Sequence, residues 1–201
     1  MKILRFASAI LALAVTLSTA ASLPAQNPAP AKPRVASTGG TSPHETTSAI
    51  IGERRTGNRV TITYGRPFRA DPKTGAARPI WGGLVKWDKP DRLGADEATL
   101  LLTQQPIQFG DTVIPAGAHT LYLIPSETGV SKLAFSSNLG KWGVPVDETK
   151  DVARIDLKKE SLETPVEQLT ITVANDAAAG GGVIRIAWDT TQFSAPFTVR
   201  K

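Results

Sequence analysis

Apolar and polar residues alternate with a period of two at several places along the chain. Val60, Ile62 and Tyr64 are interleaved with Arg59, Thr61 and Thr63, and Leu169, Ile171 and Val173 with Gln168, Thr170 and Thr172. Successive side chains of a strand point to opposite faces, so each run predicts a strand with one buried and one wet face. Shorter apolar runs predict further strands at 99–103, 107–109, 118–124, 132–136, 152–157, 183–188 and 197–199. Turn-forming residues separate them: Gly110-Asp111, Pro115-Ala116-Gly117, Glu127-Thr128-Gly129, and a long hairpin tip from Asn175 to Gly182. No stretch after residue 26 carries a sustained 3.6-residue apolar period with caps; 161–168 can form at most a short helical turn, broken by Pro165. The pattern predicts an all-β fold, an antiparallel β-sandwich, jelly-roll-like, of about eight to nine strands.

The N-terminus has a different character. Lys2 and Arg5 precede an apolar run from Phe6 to Leu17, and the small residues Ser18, Ala20, Ala21 and Ala25 follow. This order predicts a signal peptide over 1–25, cleaved after Ala20 or Ala25, and a protein delivered to the periplasm or the extracellular space. No later run is long and apolar enough for a transmembrane helix. Residues 26–43, with Pro28, Pro30, Pro33 and Pro43 among Ala, Ser and Thr, predict a flexible tether, and 44–201 a single domain of 158 residues. The absence of cysteine excludes disulfides, a lipid-attachment cysteine and thiolate chemistry, so the core alone must hold an exported fold. The net charge of +5 falls to +3 without Lys2 and Arg5, and the dispersed basic residues lack the clustered face that nucleic acid requires.

Candidate chemistry concentrates between Arg78 and Thr99, where Trp81, Trp87 and Gly82-Gly83 stand among charged residues. Asp96 and Glu97 are adjacent carboxylates, but neighbours on an extended chain face opposite ways, so they can form an acid/base dyad only where the chain turns. A structural ion pair of Glu97 with Arg92 or Arg66 is the more economical expectation. His119 lies in PAGAH, superficially like a cupin metal-ligand motif, but the spacing fails; with His44 the only other histidine, no metal site and no cofactor are expected. Asp147, Glu148 and Asp151 lack the repeated oxygen donors of a calcium loop and read as a solvated turn. No Gly-x-Ser-x-Gly elbow and no phosphate loop are present. Among the tryptophans, Trp188 alternates with Ile184 and Ile186 and is expected in the core, Trp81 is expected to plug one end of the sandwich, and Trp87 to be the exposed one.

Together the blocks YGRP at 64–67, IWGGLV at 80–85, GADEAT at 94–99, IPAGAHTLYLIP at 114–125, KWG at 141–143 and DETKDVARI at 147–155 resemble the bacterial domain of unknown function 2911. The resemblance runs from about His44 to the C-terminus. Arg92, Gly94, Ala95, Glu97, Ala98 and Thr99 agree with the family pattern; Asp91, Leu93, Asp96 and His119 depart from it, and 71–77 forms a longer insertion. The resemblance implies an exported bacterial protein with a shared fold and carries no established activity. The expected function is non-catalytic binding of a small ligand, a glycan or an envelope protein by Tyr64, Arg66, Trp81, Trp87, Arg92 and Glu97. The alternative is a hydrolase using Glu97 or Asp96 as general acid/base.

Overall fold

The computed structural model describes residues 42–176 and 180–200. The expected signal peptide, residues 26–41 of the expected tether and the hairpin tip at 177–179 lie outside the described residues.

Among the described residues, ten strands form two antiparallel sheets. They are β1 (His44–Ile51), β2 (Asn58–Gly65), β3 (Thr99–Thr103), β4 (Ile107–Phe109), β5 (Thr112–Ile114), β6 (Gly117–Ile124), β7 (Lys132–Ser136), β8 (Asp151–Asp156), β9 (Lys158–Asp176) and β10 (Gly181–Val199). One sheet has the order β1-β2-β3-β6-β7-β8 and the other β5-β4-β10-β9, so the chain changes sheet after β3, after β5 and after β8. The predicted alternation is realised in the packing. In β2, Val60, Ile62 and Tyr64 are buried while Arg59 and Thr63 are exposed. Leu101, Leu121 and Phe135 from the larger sheet meet Ile107, Leu169, Ile184 and Phe197 from the smaller in one apolar cluster, the sandwich core.

Three features depart from the sequence expectation. Strands β1 and β5 are additional, the first polar along most of its length and the second only three residues long. Residues 161–168 are extended within β9, not helical. Pro165 is tolerated there because β9 is the outer strand of its sheet and the pairing with β10 is irregular between Ala187 and Thr191, where a missing N–H breaks no ladder bond. The segments predicted at 183–188 and 197–199 are parts of a single strand, β10. His119 is a core residue: its Nε2 lies 2.9 Å from the Pro115 carbonyl and its ring meets Phe135 edge-on.

An outer strand presents unpaired backbone groups, and at Leu169 and Ile171 β9 has its own satisfied by residues at the end of β2. The Tyr64 hydroxyl accepts from the Ile171 N–H at 2.7 Å and lies 3.2 Å from the Ile171 carbonyl and 3.1 Å from Glu45 Oε2. Arg66 Nε donates to the Leu169 carbonyl at 3.0 Å and its Nη2 to Thr170 Oγ1 at 2.8 Å, while Nη1 pairs with Glu45 at 2.9 Å. The Leu169 N–H reaches the Pro67 carbonyl. Burial pushes the Tyr64 phenol well above its ordinary range, so it remains a neutral hydroxyl able to donate and accept. Tyr64→Phe leaves the Ile171 N–H buried without a partner and is expected to cost about 1–3 kcal/mol, read by urea unfolding, with faster hydrogen exchange at Ile171. Unchanged stability would show that the seam is incidental.

Candidate functional site

Two turns and two glycines build one end of the sandwich. Between β2 and β3 the chain makes a tight turn in which Leu84 N–H reaches the Pro79 carbonyl and Val85 N–H the Ile80 carbonyl. Gly83 fits this turn because a Cβ there would stand 2.2 Å from the Pro79 carbonyl oxygen. The next turn, 88–98, docks on the end of β2: Ala95 N–H meets the Gly65 carbonyl, and a Cβ on Gly65 would lie 2.0 Å from the Ala95 oxygen. Leu93 and Asp96 hold left-handed backbone, at φ of 57° and 63°. Such conformations are costly for side-chain-bearing residues and persist where the surroundings over-determine them. Here the Thr99 hydroxyl holds the Leu93 carbonyl at 2.6 Å, Asp91 Oδ1 holds the Leu93 N–H at 2.9 Å, and Arg92 donates to the carbonyls of Gly94, Asp96 and Trp142.

These turns line a cleft of about 380 Å³, within the usual size of small-molecule sites. Its walls carry Pro67 and Phe68 after β2, Leu84 and Val85, Asp91, Arg92 and Asp96, Arg78 from beside the insertion, Val144, and Trp188. Phe68, Leu84 and Val144 are 42%, 46% and 54% exposed, an apolar rim that the core does not claim. Trp188 occupies the irregular stretch of β10, a device that redirects side chains beside functional sites. Among the described residues, Asp96 Oδ2 and Trp188 Nε1, on residues of this cleft, are buried polar atoms with no hydrogen-bond partner, as are single ring or carboxyl atoms of His44, His119 and Asp151 elsewhere. Depressions of about 390 and 440 Å³ elsewhere have a single pair of charged residues and a lone carboxylate respectively, and neither has this apolar rim.

The six residues singled out from the sequence are not brought together. Arg92 lines the cleft, but Tyr64 and Arg66 belong to the buried seam. The expected partner of Glu97 is corrected: it pairs with His44, at 2.8 Å, and Arg66 pairs with Glu45. Glu97 is 63% exposed, and its own backbone N–H, helped by His44, holds its carboxyl below the usual range. Trp81 packs half-buried on the core and donates its Nε1 to the Trp188 carbonyl. Trp87 is corrected too. It lies half-buried between the Trp81 ring, 6.1 Å away, and Lys159 Nζ, 4.8 Å away, whereas Trp142 is the exposed indole. Trp142 lies against the Arg92 guanidinium at 5.8 Å. Phe68, Arg78, Leu84 and Val144 are additions that sequence reasoning missed; the signal for Phe68, Leu84 and Val144 is an apolar residue next to a turn glycine or proline with no partner in the alternation, and Arg78 carries no such signal.

Asp147 caps the 3₁₀ turn Glu148–Lys150, and Glu148 and Asp151 both engage Arg154, so these carboxylates stabilise a turn. Among the described residues no group of His, Cys, Asp and Glu could hold a metal ion.

The fold and the cleft define an all-β protein of two antiparallel sheets with a cleft lined by the turns at one end. Four of the sequence blocks converge there: YGRP through Pro67, IWGGLV through Leu84 and Val85, GADEAT through Gly94 to Asp96, and KWG just before Val144. The chain belongs to the family described as "Protein of unknown function (DUF2911)", whose profile matches residues 42–197. Comparison with curated proteins and with solved structures finds no match.

Asp91 provides a test of the turn's electrostatics. Burial raises its carboxyl above the usual range, against the opposing pull of the Leu93 N–H and the Arg92 charge. A raised folded value means that the folded state holds the proton more tightly. The associated stability is therefore complete below the unfolded carboxylate range and declines as pH rises toward the folded value. Asp91→Asn, which keeps an acceptor for Leu93, is expected to raise the melting temperature at neutral pH and to lose that advantage in acid. A variant less stable than the parent at neutral pH would contradict the assignment.

Proposed function

We propose that this protein is a non-catalytic binding protein of the bacterial envelope that takes a small amphipathic ligand in the cleft between Phe68, Leu84, Asp96 and Val144. The observation that carries the reading is the coincidence, in one cleft, of three large exposed apolar side chains with Arg78, Arg92 and Asp96, which make no ion pair among the described residues. The core has no use for such an arrangement, whereas a ligand that covers the rim and meets the charges uses both. The sequence order of charged start, apolar run and small residues supports export to the envelope. The left-handed Leu93 and Asp96 add support, since strain concentrates where a loop must present side chains in a fixed geometry.

A second reading is hydrolysis with Asp96 as general acid/base, favoured by the partnerless Asp96 Oδ2 at the cleft. Glu97 fits that role poorly, because it is solvated and already paired with His44. The binding reading is preferred because the cleft's other carboxyl, Asp91, is already committed through Oδ1 to the Leu93 N–H that fixes the turn, while the rim a ligand would cover is apolar.

Anilinonaphthalene sulfonate, an apolar anion, tests the cleft directly. The protein is expected to bind it with enhanced fluorescence, and Leu84→Ser or Val144→Ser to weaken binding about fivefold each, since covering a half-exposed aliphatic side chain is worth about 1 kcal/mol. Both variants are expected to melt as the parent does. Dye binding that ignores both substitutions would place the ligand site elsewhere.

A further inference from the structure

The cleft's charges narrow the ligand class, an inference that rests on the binding reading above. Arg78, Arg92, Asp91 and Asp96 all line it, and none of the four takes part in an ion pair among the described residues. Each guanidinium is instead held by backbone carbonyls: Arg78 by those of Phe68 and Arg69, Arg92 by those of Gly94, Asp96 and Trp142. Carbonyl groups fix a guanidinium in place without neutralising it. Both cations are therefore pre-organised at the cleft by neutral partners, with the carboxylates that feel them, Asp91 and Glu97 for Arg92 and Asp71 for Arg78, outside ion-pair distance.

The opposite charge stands in the same cleft, in Asp96, which takes part in no ion pair among the described residues. A simple anion would answer the arginines and leave Asp96 facing a like charge. A simple cation would answer Asp96 and face two guanidinium groups. Only a ligand with both a positive donor and a negative acceptor meets all of them, and the apolar rim calls for an aliphatic or aromatic body between them.

We propose that the cleft binds a small zwitterion of the free amino acid or short unblocked peptide class. The ammonium group sits at Asp96, the carboxylate is held by Arg78 and Arg92, and the apolar side chain lies against Phe68, Leu84 and Val144.

Calorimetric titration of the purified protein with leucyl-leucine in four forms tests this: unblocked, N-acetylated, C-amidated, and blocked at both ends. The unblocked form is expected to bind at least tenfold more tightly than either singly blocked form, and the doubly blocked form to bind most weakly. Asp96→Asn is expected to abolish the preference for the free amine over the acetylated form and to retain the preference for the free carboxylate over the amide. Equal affinity for all four forms, with rim variants still weakening it, overturns the zwitterion assignment and leaves the cleft as a binding site. Failure of all four forms, together with dye binding that is indifferent to Leu84→Ser, overturns both. Because the contrast among the four forms is measured on the parent protein, it stands even where Asp96→Asn does not fold.

Discussion

The structure depends on a polar seam at which the end of one sheet completes the outer strand of the other. A sandwich held only by apolar contacts between its faces leaves the edges of both sheets open, with backbone groups that seek partners. In this protein the Tyr64 hydroxyl and the Arg66 guanidinium, extending from the end of β2, supply partners for Ile171 and Leu169 on β9, and Glu45 from β1 unites the pair. Tyr64 is 1% and Arg66 5% exposed, so each unmet bond there would carry the penalty of a buried polar group. The same contacts fix the angle at which the chain leaves β2. That exit determines where Pro67 and Phe68 stand, and hence one wall of the cleft.

The opposite wall follows from the seam by contact. Gly65 lies between Tyr64 and Arg66 and has no side chain, which lets the 88–98 turn press its Ala95 backbone onto β2. Left-handed backbone at Leu93 and Asp96 costs on the order of 1–3 kcal/mol per residue in isolation. The hydrogen bonds from Thr99, Asp91 and Arg92 hold the turn against that cost, and burial of Leu93 in the core adds an apolar anchor. A loop anchored at its base by packing and along its length by carbonyl bonds holds Asp96 and Arg92 in fixed positions. On the binding reading proposed above, that rigidity lowers the ordering cost of taking up a ligand.

The strands were legible in the sequence wherever one face is buried and the other wet, because period two is then a direct image of the pleat. Thr99–Thr103, Ile107–Phe109 and Lys132–Ser136 have the predicted bounds, and Trp188 is in the core. Strand β1 escaped because HETTSAII lies at the edge of its sheet, where intermediate burial on both faces erases the alternation. The first half of β9 escaped because Pro165 reads as a breaker unless the irregular pairing opposite it is known. Within the site, polar alternation cannot distinguish a side chain that meets water from one that meets a backbone edge. Tyr64 and Arg66 were therefore placed with Arg92, although they serve the seam. The pairing of His44 with Glu97 joins residues 53 apart in sequence, a separation at which no local rule operates.

The arginines of the cleft illustrate a general economy. A guanidinium in an ion pair is held but neutralised, and one free in solvent is charged but mobile; bonding to carbonyls gives a cation that is both fixed and charged. In Arg92 this device serves two ends at once, since the carbonyls it holds belong to the strained turn that presents Asp96. The Trp142 carbonyl and ring close over the same guanidinium, and Gly143 approaches so near that a Cβ would stand 3.0 Å from the Arg92 Cβ. The KWG segment is bound to this turn through Arg92 and through the Ala98 N–H, which donates to the Lys141 carbonyl, and it carries Val144 to the rim. Loss of Arg92 would therefore loosen a wall and remove a charge together, which is why the chemical forms of a ligand report on the site more cleanly than removal of its central cation.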